Sequence, residues 1–210
     1  MEKIILSILI LGRLTAYEIR NAIRQNYTSM CSDSLGSIHV ALKKLLAVGF
    51  VTCEEFVENS VNKKQYSITD LGRQDFMAWL KTPLDMSRTK NMDLGKLFLM
   101  GLVPASERGT LLDEILLQQS KELEELLEIQ KRIEQSDGKK AFLEYMKSDA
   151  EYRLGIQNAS GQIDITESCN EIVYFQNMTL QYGIDSAKFY IEWFKKLKSD
   201  ILQERLEDIT

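Results

Sequence analysis

"DSLGSIHVALKKLLAVGFV", residues 33–51, decides how this chain folds. Take Ile38 as the reference and turn about 100° per residue. Ile38, Ala41, Leu42 and Leu45 then share one apolar stripe, the mark of a helix seated on a core. The opposite face carries Gly36, Val40, Lys43, Lys44 and Ala47, which is small and cationic. Short side chains let a backbone approach closely, and lysines reach phosphates. Gly49 suits a left-handed helix stop, so the spacing predicts a helix over 36–48 that passes directly into a strand.

Working outward toward the N-terminus, "EKIILSILIL" (residues 2–11) reads as a buried helix ended by Gly12. In "TAYEIRNAIRQ", Thr15 and Glu18 have capping-box spacing. Ile19 and Ile23 follow on one face, which predicts a second helix over 16–25. Beyond Gly49, "FVTCEEFV" and "KKQYSIT" are strand candidates separated by the polar turn "ENSVN". Thr69 and Asp70 can cap a helix over 70–81, with Leu71, Phe76, Trp79 and Leu80 as its apolar positions. Three helices followed by a two-stranded hairpin make a winged helix-turn-helix, placed at residues 1–82.

The stretch 83–91 reads as a linker, and residues 92–210 as an all-helical domain. Helices are expected over 92–102, from Pro104 and Ser106 to the "SDG" of 136–138, over 139–157, and over 170–206 after a loop at 158–168. Leu112, Leu116, Gln119, Leu123, Leu126, Gln130 and Ile133 alternate steps of four and three, a heptad seam. Gly183, Ala187, Tyr190, Phe194, Leu197 and Ile201 form a second one. Helices this long bury little alone and suit packing against a second copy. The expected class is therefore mainly α: an N-terminal winged helix-turn-helix and a C-terminal antiparallel or coiled-coil dimerisation domain. Its assigned dimer residues are Leu112, Leu116, Leu123, Leu126, Tyr190, Trp193, Phe194, Leu197 and Ile201.

The totals exclude several classes. No apolar run approaches the roughly 18 residues that span a bilayer, so no membrane partner is expected. The N-terminal apolar stretch lacks a basic leader and a small-residue cleavage site, which argues against a secretory signal. Cys31, Cys53 and Cys169 are widely spaced and odd in number, neither a disulfide framework nor a zinc pattern. A reducing cytoplasm fits, and no metal or cofactor is expected. With a single histidine and no phosphate-binding glycine loop or nucleophile elbow, an enzyme is not expected. The net charge of -5 argues mildly against nucleic acid. Its distribution removes the objection: residues 1–84 carry +2 and residues 85–210 carry −7. Charges beyond a Debye length of about 8 Å are largely screened.

"LGRLTAYEI", "GSIHVALKKLLAVGFV" and "KKQYSITDLGR" together resemble the PadR family of bacterial transcription regulators. "LQYGIDSAKFYIEWFKKL" looks like the closing helix of the family's longer members, so the resemblance covers nearly the whole chain. It implies a homodimer of winged helix-turn-helix domains that binds promoter or operator DNA and represses nearby genes. Activation, as in a virulence-gene activator of the same longer architecture, is the alternative sign. Some family members respond to phenolic acids or other small aromatic effectors. The chain departs from the family where His39 and Val40 stand in place of the usual tyrosine and proline. Ala16 replaces the glycine before the helix-two tyrosine.

On this reading the 36–48 helix enters the major groove. Lys43 and Lys44 meet phosphates or a guanine edge, and Val40 touches a thymine methyl. Ser34 and Ser37 hold a phosphate at the helix start. His39 donates to a phosphate. Asn62, Lys63 and Lys64 on the wing reach the flanking backbone, and Tyr66 packs the wing or meets a phosphate. Glu54, Glu55 and Glu58 would repel DNA. In the second half Phe142, Tyr145, Tyr152, Tyr174, Phe175, Tyr182, Tyr190, Trp193 and Phe194 line either a dimer core or an effector pocket. A winged module that binds proteins instead of DNA is the remaining alternative.

Overall fold

The computed structural model describes residues 1–27, 31–58, 61–84 and 94–207, with the side chains of Glu58, Val61, Leu94 and residues 202–207 excepted. The chain forms two compact units. One joins Met1–Asp85 to Met146–Ile163, and the other joins Met86–Tyr145 to Asp164–Thr210.

The first unit opens with α1 (Glu2–Leu9), then a short strand β1 (Leu14–Thr15) and α2 (Ala16–Asn26). The expected capping box is present: the Thr15 hydroxyl accepts from the Glu18 amide, and the Glu18 carboxylate accepts from the Thr15 amide. Next comes α3 (Leu35–Ala47), whose apolar stripe is fully used: Ile38, Ala41, Leu42 and Leu45 are all buried. Together with Ile5, Leu9, Ile19 and Ile23 they form a dry core. Each leucine and isoleucine among them stabilises by roughly 1.5–3 kcal/mol relative to exposure.

α3 ends as Gly49 requires. Gly49 sits at φ +72, its amide donates to the Leu46 carbonyl, and the Phe50 amide donates to the Leu45 carbonyl. This is a Schellman ending, and it turns the chain straight into the sheet. β2 (Val51–Glu58) and β3 (Val61–Ile68) pair antiparallel, with Val51 opposite Ile68 and Glu55 opposite Lys64. The polar turn expected over 58–62 includes residues 59 and 60, which lie outside the described residues. β1 adds a third strand that periodicity does not reveal, pairing Leu14 with Tyr66. Two residues are too short to show alternation.

α4 (Asp70–Leu80) follows, capped by Thr69. Phe76 is buried, whereas Leu71, Trp79 and Leu80 are largely exposed. Thr69 also donates from its hydroxyl to the Gly49 carbonyl at 2.7 Å, tying the start of α4 to the turn after α3.

Most of the expected linker lies outside the described residues. The helix expected over 92–102 is a short α5 (Leu94–Phe98) with a 3-10 turn at Met100–Leu102. α6 (Ala105–Glu134) is the long helix the heptad seam predicts. The single helix expected over 139–157 is two, α7 (Gly138–Ser148) and α8 (Ala150–Ser160). Asp149 breaks them by leaving helical geometry and capping α8, its carboxylate accepting from the Tyr152 amide at 3.2 Å. The loop expected over 158–168 shrinks, because Gly161 stops α8 in a left-handed conformation and α9 (Ile165–Glu207) begins soon after.

In the second unit α6 and α9 run antiparallel. Leu126 lies against Gly183 near one end, and Asp113 pairs with Lys198 near the other. Leu112, the head of the first expected seam, is fully buried within the chain, and Leu116, Leu123 and Leu126 are part-buried. Much of that seam is therefore consumed within one chain. Of the residues assigned to a dimer, Tyr190 and Trp193 remain largely open, while Phe194, Leu197 and Ile201 are half-buried.

Candidate nucleic-acid interface

The face of α3 opposite the core is open. Gly36, Ser37, His39, Val40, Lys43 and Ala47 are exposed, and Val40 shows 58% of its surface. Ser34 caps the helix: its hydroxyl accepts from the Ser37 amide at 3.2 Å and donates to the Ser37 hydroxyl at 2.8 Å. The segment before this cap is fastened to α2, where the Arg20 guanidinium donates to the Asp33 carbonyl at 3.2 Å. Thus α2 and the turn before α3 fix where the presented face points.

The two adjacent lysines separate. Consecutive helical residues point about 100° apart. The Lys43 ammonium has no ion pair among the described residues. Lys44 swings toward α1 and pairs with Glu2 at 3.1 Å, remaining largely exposed. It also lines a cavity of about 450 Å³ with Lys3, Leu6, Phe50 and Asp75. Lys3 and Asp75, both in its lining, pair with each other.

The wing brings Asn62 and Lys64 together on one carboxylate. Asn62 Nδ2 donates to Glu55 Oε2 at 3.1 Å, and Lys64 Nζ lies 3.1 Å from Glu55 Oε1. The Asn62 hydrogen bond and then the Lys64 ammonium hold the Glu55 carboxyl below its ordinary range. Glu55 in turn raises Lys64. Glu55 is therefore bound to the wing cation, where sequence reasoning treated it only as a repelling charge. Lys63 lies opposite Phe56 and is half-buried. Tyr66 is only 6% exposed, between Leu14 and Cys53 in the sheet, and burial pushes its phenol up. A ring in that position packs the wing.

Two features escape the sequence reading. Tyr17, in the first turn of α2, is 61% exposed. An aromatic residue on the polar side of a capped amphipathic helix is the signal that would have found it. The second is α8, which packs on the winged unit through Arg13, Arg73 and Tyr152. No local pattern reports a contact between residues so far apart in the chain.

An open face of small and cationic side chains on a capped helix, flanked by a hairpin that carries Lys63 and Lys64, fits the groove and backbone of duplex DNA. Among the described residues no cluster of His, Cys, Asp and Glu could hold a metal, and no helix is long and apolar enough to cross a membrane.

A model of the transcriptional regulator PadR-like family matches residues 5–78, and a model of the virulence activator alpha C-term matches residues 89–201. The chain is similar to the negative transcriptional regulator PadR of Bacillus subtilis (strain 168), with 32% identity over 77 residues. That stretch is 36% of this chain and 42% of the relative, so the match spans under half of the curated protein. The crystal structure of Bacillus subtilis PadR in complex with operator DNA superposes with a TM-score of 0.70 at 20% identity, covering 95% of this chain and 98% of that one. The same protein in complex with p-coumaric acid gives 0.66 at 20% identity, covering 95% and 97%. The Vibrio cholerae virulence activator AphA gives 0.64 at 18% identity, covering 97% and 98%. At these identities the structural likeness is one of fold.

Proposed function

The chain belongs to the PadR-like transcriptional regulator family, in the form that carries the virulence activator alpha C-terminal region, and on that premise we propose that it is a sequence-specific DNA-binding regulator working as a homodimer. The observation that carries this reading is the presented face of α3. Its buried stripe is complete, so Val40, Lys43 and their neighbours have no part in the core and stand free to meet a duplex.

In this account α3 enters the major groove. Lys43 meets a phosphate or a guanine edge, and Val40 a thymine methyl. His39 and the Ser34–Ser37 cap lie beside the backbone, and Lys63, Lys64 and Asn62 of the wing follow the flanking strand. Two copies joined through the helical unit read two half-sites about one helical turn apart. The protein acts in the cytoplasm as a repressor. Since Bacillus subtilis PadR is known in complex with p-coumaric acid, small aromatic acids are the effector class to screen first.

The test is a mobility shift with duplex from upstream of the protein's own gene, at two salt concentrations. A shift that weakens steeply with salt supports the reading, since each neutralised phosphate adds roughly 0.9 to the slope of log affinity against log salt. A homodimer that shifts nothing at low salt favours a protein-binding module instead.

A further inference from the structure

The wing holds one of its two lysines, Lys64, already occupied by an anion. Glu55 and Lys64 face each other across the β2–β3 ladder, and Asn62 reaches the same carboxylate from two residues along β3. The two donors converge on the two oxygens of one group, at 3.1 Å each. A backbone phosphate offers the same kind of target, two anionic oxygens on one centre. Burial does not compel the arrangement, since the Lys64 and Glu55 side chains are 61% and 55% exposed.

We propose that Glu55 is an internal stand-in for a DNA phosphate, keeping Asn62 and Lys64 in a phosphate-ready arrangement while lowering the wing's affinity for any duplex. The inference rests on the DNA-binding reading above. When a phosphate lands on Lys64 the pair with Glu55 breaks, and the lost ion pair is subtracted from the phosphate contact. Sequence-independent binding comes almost wholly from phosphate contacts, so it carries this penalty in full. The base-edge contacts of α3 are untouched, so the penalty falls on every duplex alike and the discrimination between sequences is unchanged. Glu55 thus sets how tightly the wing holds any duplex without itself holding the DNA.

Glu55→Gln keeps the size of the side chain and an acceptor for Asn62 while removing the charge. The affinity of a random duplex and its salt slope are measured for the parent, E55Q, K64Q and the double variant, with circular dichroism to confirm folding. E55Q is expected to bind roughly two- to five-fold tighter per subunit, the range of an exposed ion pair. Its salt slope should steepen by about 0.9 per subunit. The double variant should match K64Q. E55Q binding no tighter than the parent overturns the proposal. So does a gain that survives in the K64Q background, which would reflect plain repulsion without masking. A parent that shifts no duplex at low salt overturns the DNA-binding reading itself, and that result appears before any variant is compared.

Discussion

The Arg73 guanidinium lies 4.9 Å from the centre of the Tyr152 ring, so the fourth helix of the winged unit grips a helix from far along the chain. Arg13 lies over the same ring at 4.8 Å, and its guanidinium pairs with Asp149 and Glu151 at the start of α8. Tyr152 is fully buried. A desolvated cation over an aromatic face contributes about 2 kcal/mol. Tyr152→Ala should cost about 3–5 kcal/mol, the range for emptying a large aromatic site. Tyr152→Phe keeps the ring and should lose far less. Tyr152→Leu fills part of the volume without a ring face, so it separates packing from cation–π attraction. Denaturant titration followed by circular dichroism ranks the three. Leu matching Phe would show that the guanidinium groups contribute nothing through the ring.

The pair beside that ring carries a pH signature. Burial works against the Asp149 carboxylate, but the Tyr152 amide and the Arg13 guanidinium outweigh it, and its pKa falls. Burial likewise opposes the Arg13 charge, which Asp149 and Glu151 more than restore. A depressed carboxylate stabilises fully above its unfolded value near 4 and loses that contribution as pH falls through the folded value. Asp149→Asn retains the cap and removes the charge. It should cost about 1–2 kcal/mol at neutral pH. Its stability should also fall less steeply than the parent's below about pH 4. Parallel acid titrations of the two proteins measure the difference. Identical acid limbs would mean that Asp149 titrates normally.

Lys43 and Lys44 should not behave alike. Lys43 stands open on the presented face, while Lys44 spends its charge on Glu2. Lys43→Ala should weaken duplex binding and lower the salt slope by about 0.9 per subunit. Lys44→Ala should lower it by less, because an ammonium paired with Glu2 neutralises less phosphate charge and displaces fewer of the cations condensed on the DNA. Salt titrations of the two single variants decide the matter, and equal slopes would place both cations on phosphates.

How far the sequence carries depends on the range of the interaction. The stripe of α3, the Thr15–Glu18 cap and the Gly49 stop are all local, and each appears in the structure where residue spacing puts it. The hairpin is nearly local and also follows. The pairing of β1 with β3 joins Leu14 to Tyr66, and nothing in two residues announces a distant partner. The fate of charged groups is similarly hidden. Spacing showed that Lys43 and Lys44 are adjacent, but only α1 packing against α3 brings Glu2 to one of them. The break at Asp149 was legible in principle, since Asp is a strong helix starter, but helix-period residues on both sides masked it.

Two glycines test how closely the winged unit is packed. Gly72, in the first turn of α4, approaches the Phe50 carbonyl so closely that an added Cβ would fall well inside van der Waals contact with backbone. Backbone on both sides cannot yield as a side-chain tip can. Gly72→Ala should therefore destabilise the unit by about 3 kcal/mol or more. Gly36 lies on the open face of α3 with nothing within 4 Å of an added Cβ. Gly36→Ala should gain up to about 1 kcal/mol from helix propensity. Thermal melts of the two variants should move in opposite directions. A Gly72→Ala protein as stable as the parent would show that α4 slides freely against the turn after α3.

The last expected outcome concerns the aromatic side of α9. This helix has 43 residues, and α6 covers one side of it, where Ile184, Ala187 and Ile191 are buried. On the other side Phe175, Tyr182 and Phe189 recur every seven residues, and Trp193 follows four later. They are 67%, 60%, 60% and 41% exposed in the single chain. A sustained aromatic stripe in water marks an interface, and a heptad spacing suits a second helix. It lies on a different side of α9 from Ile184, so a partner copy can use it without disturbing the α6–α9 pair. Replacing both Phe189 and Trp193 by glutamate puts two charges per chain on that stripe. Sedimentation velocity should show the parent as a dimer and the double variant as a monomer of unchanged helicity, because neither side chain belongs to the core. The monomer should bind a two-half-site duplex far more weakly, since the second head no longer benefits from the first. A double variant that stays dimeric would move the interface away from this stripe, and a monomeric parent would remove the two-headed reading altogether.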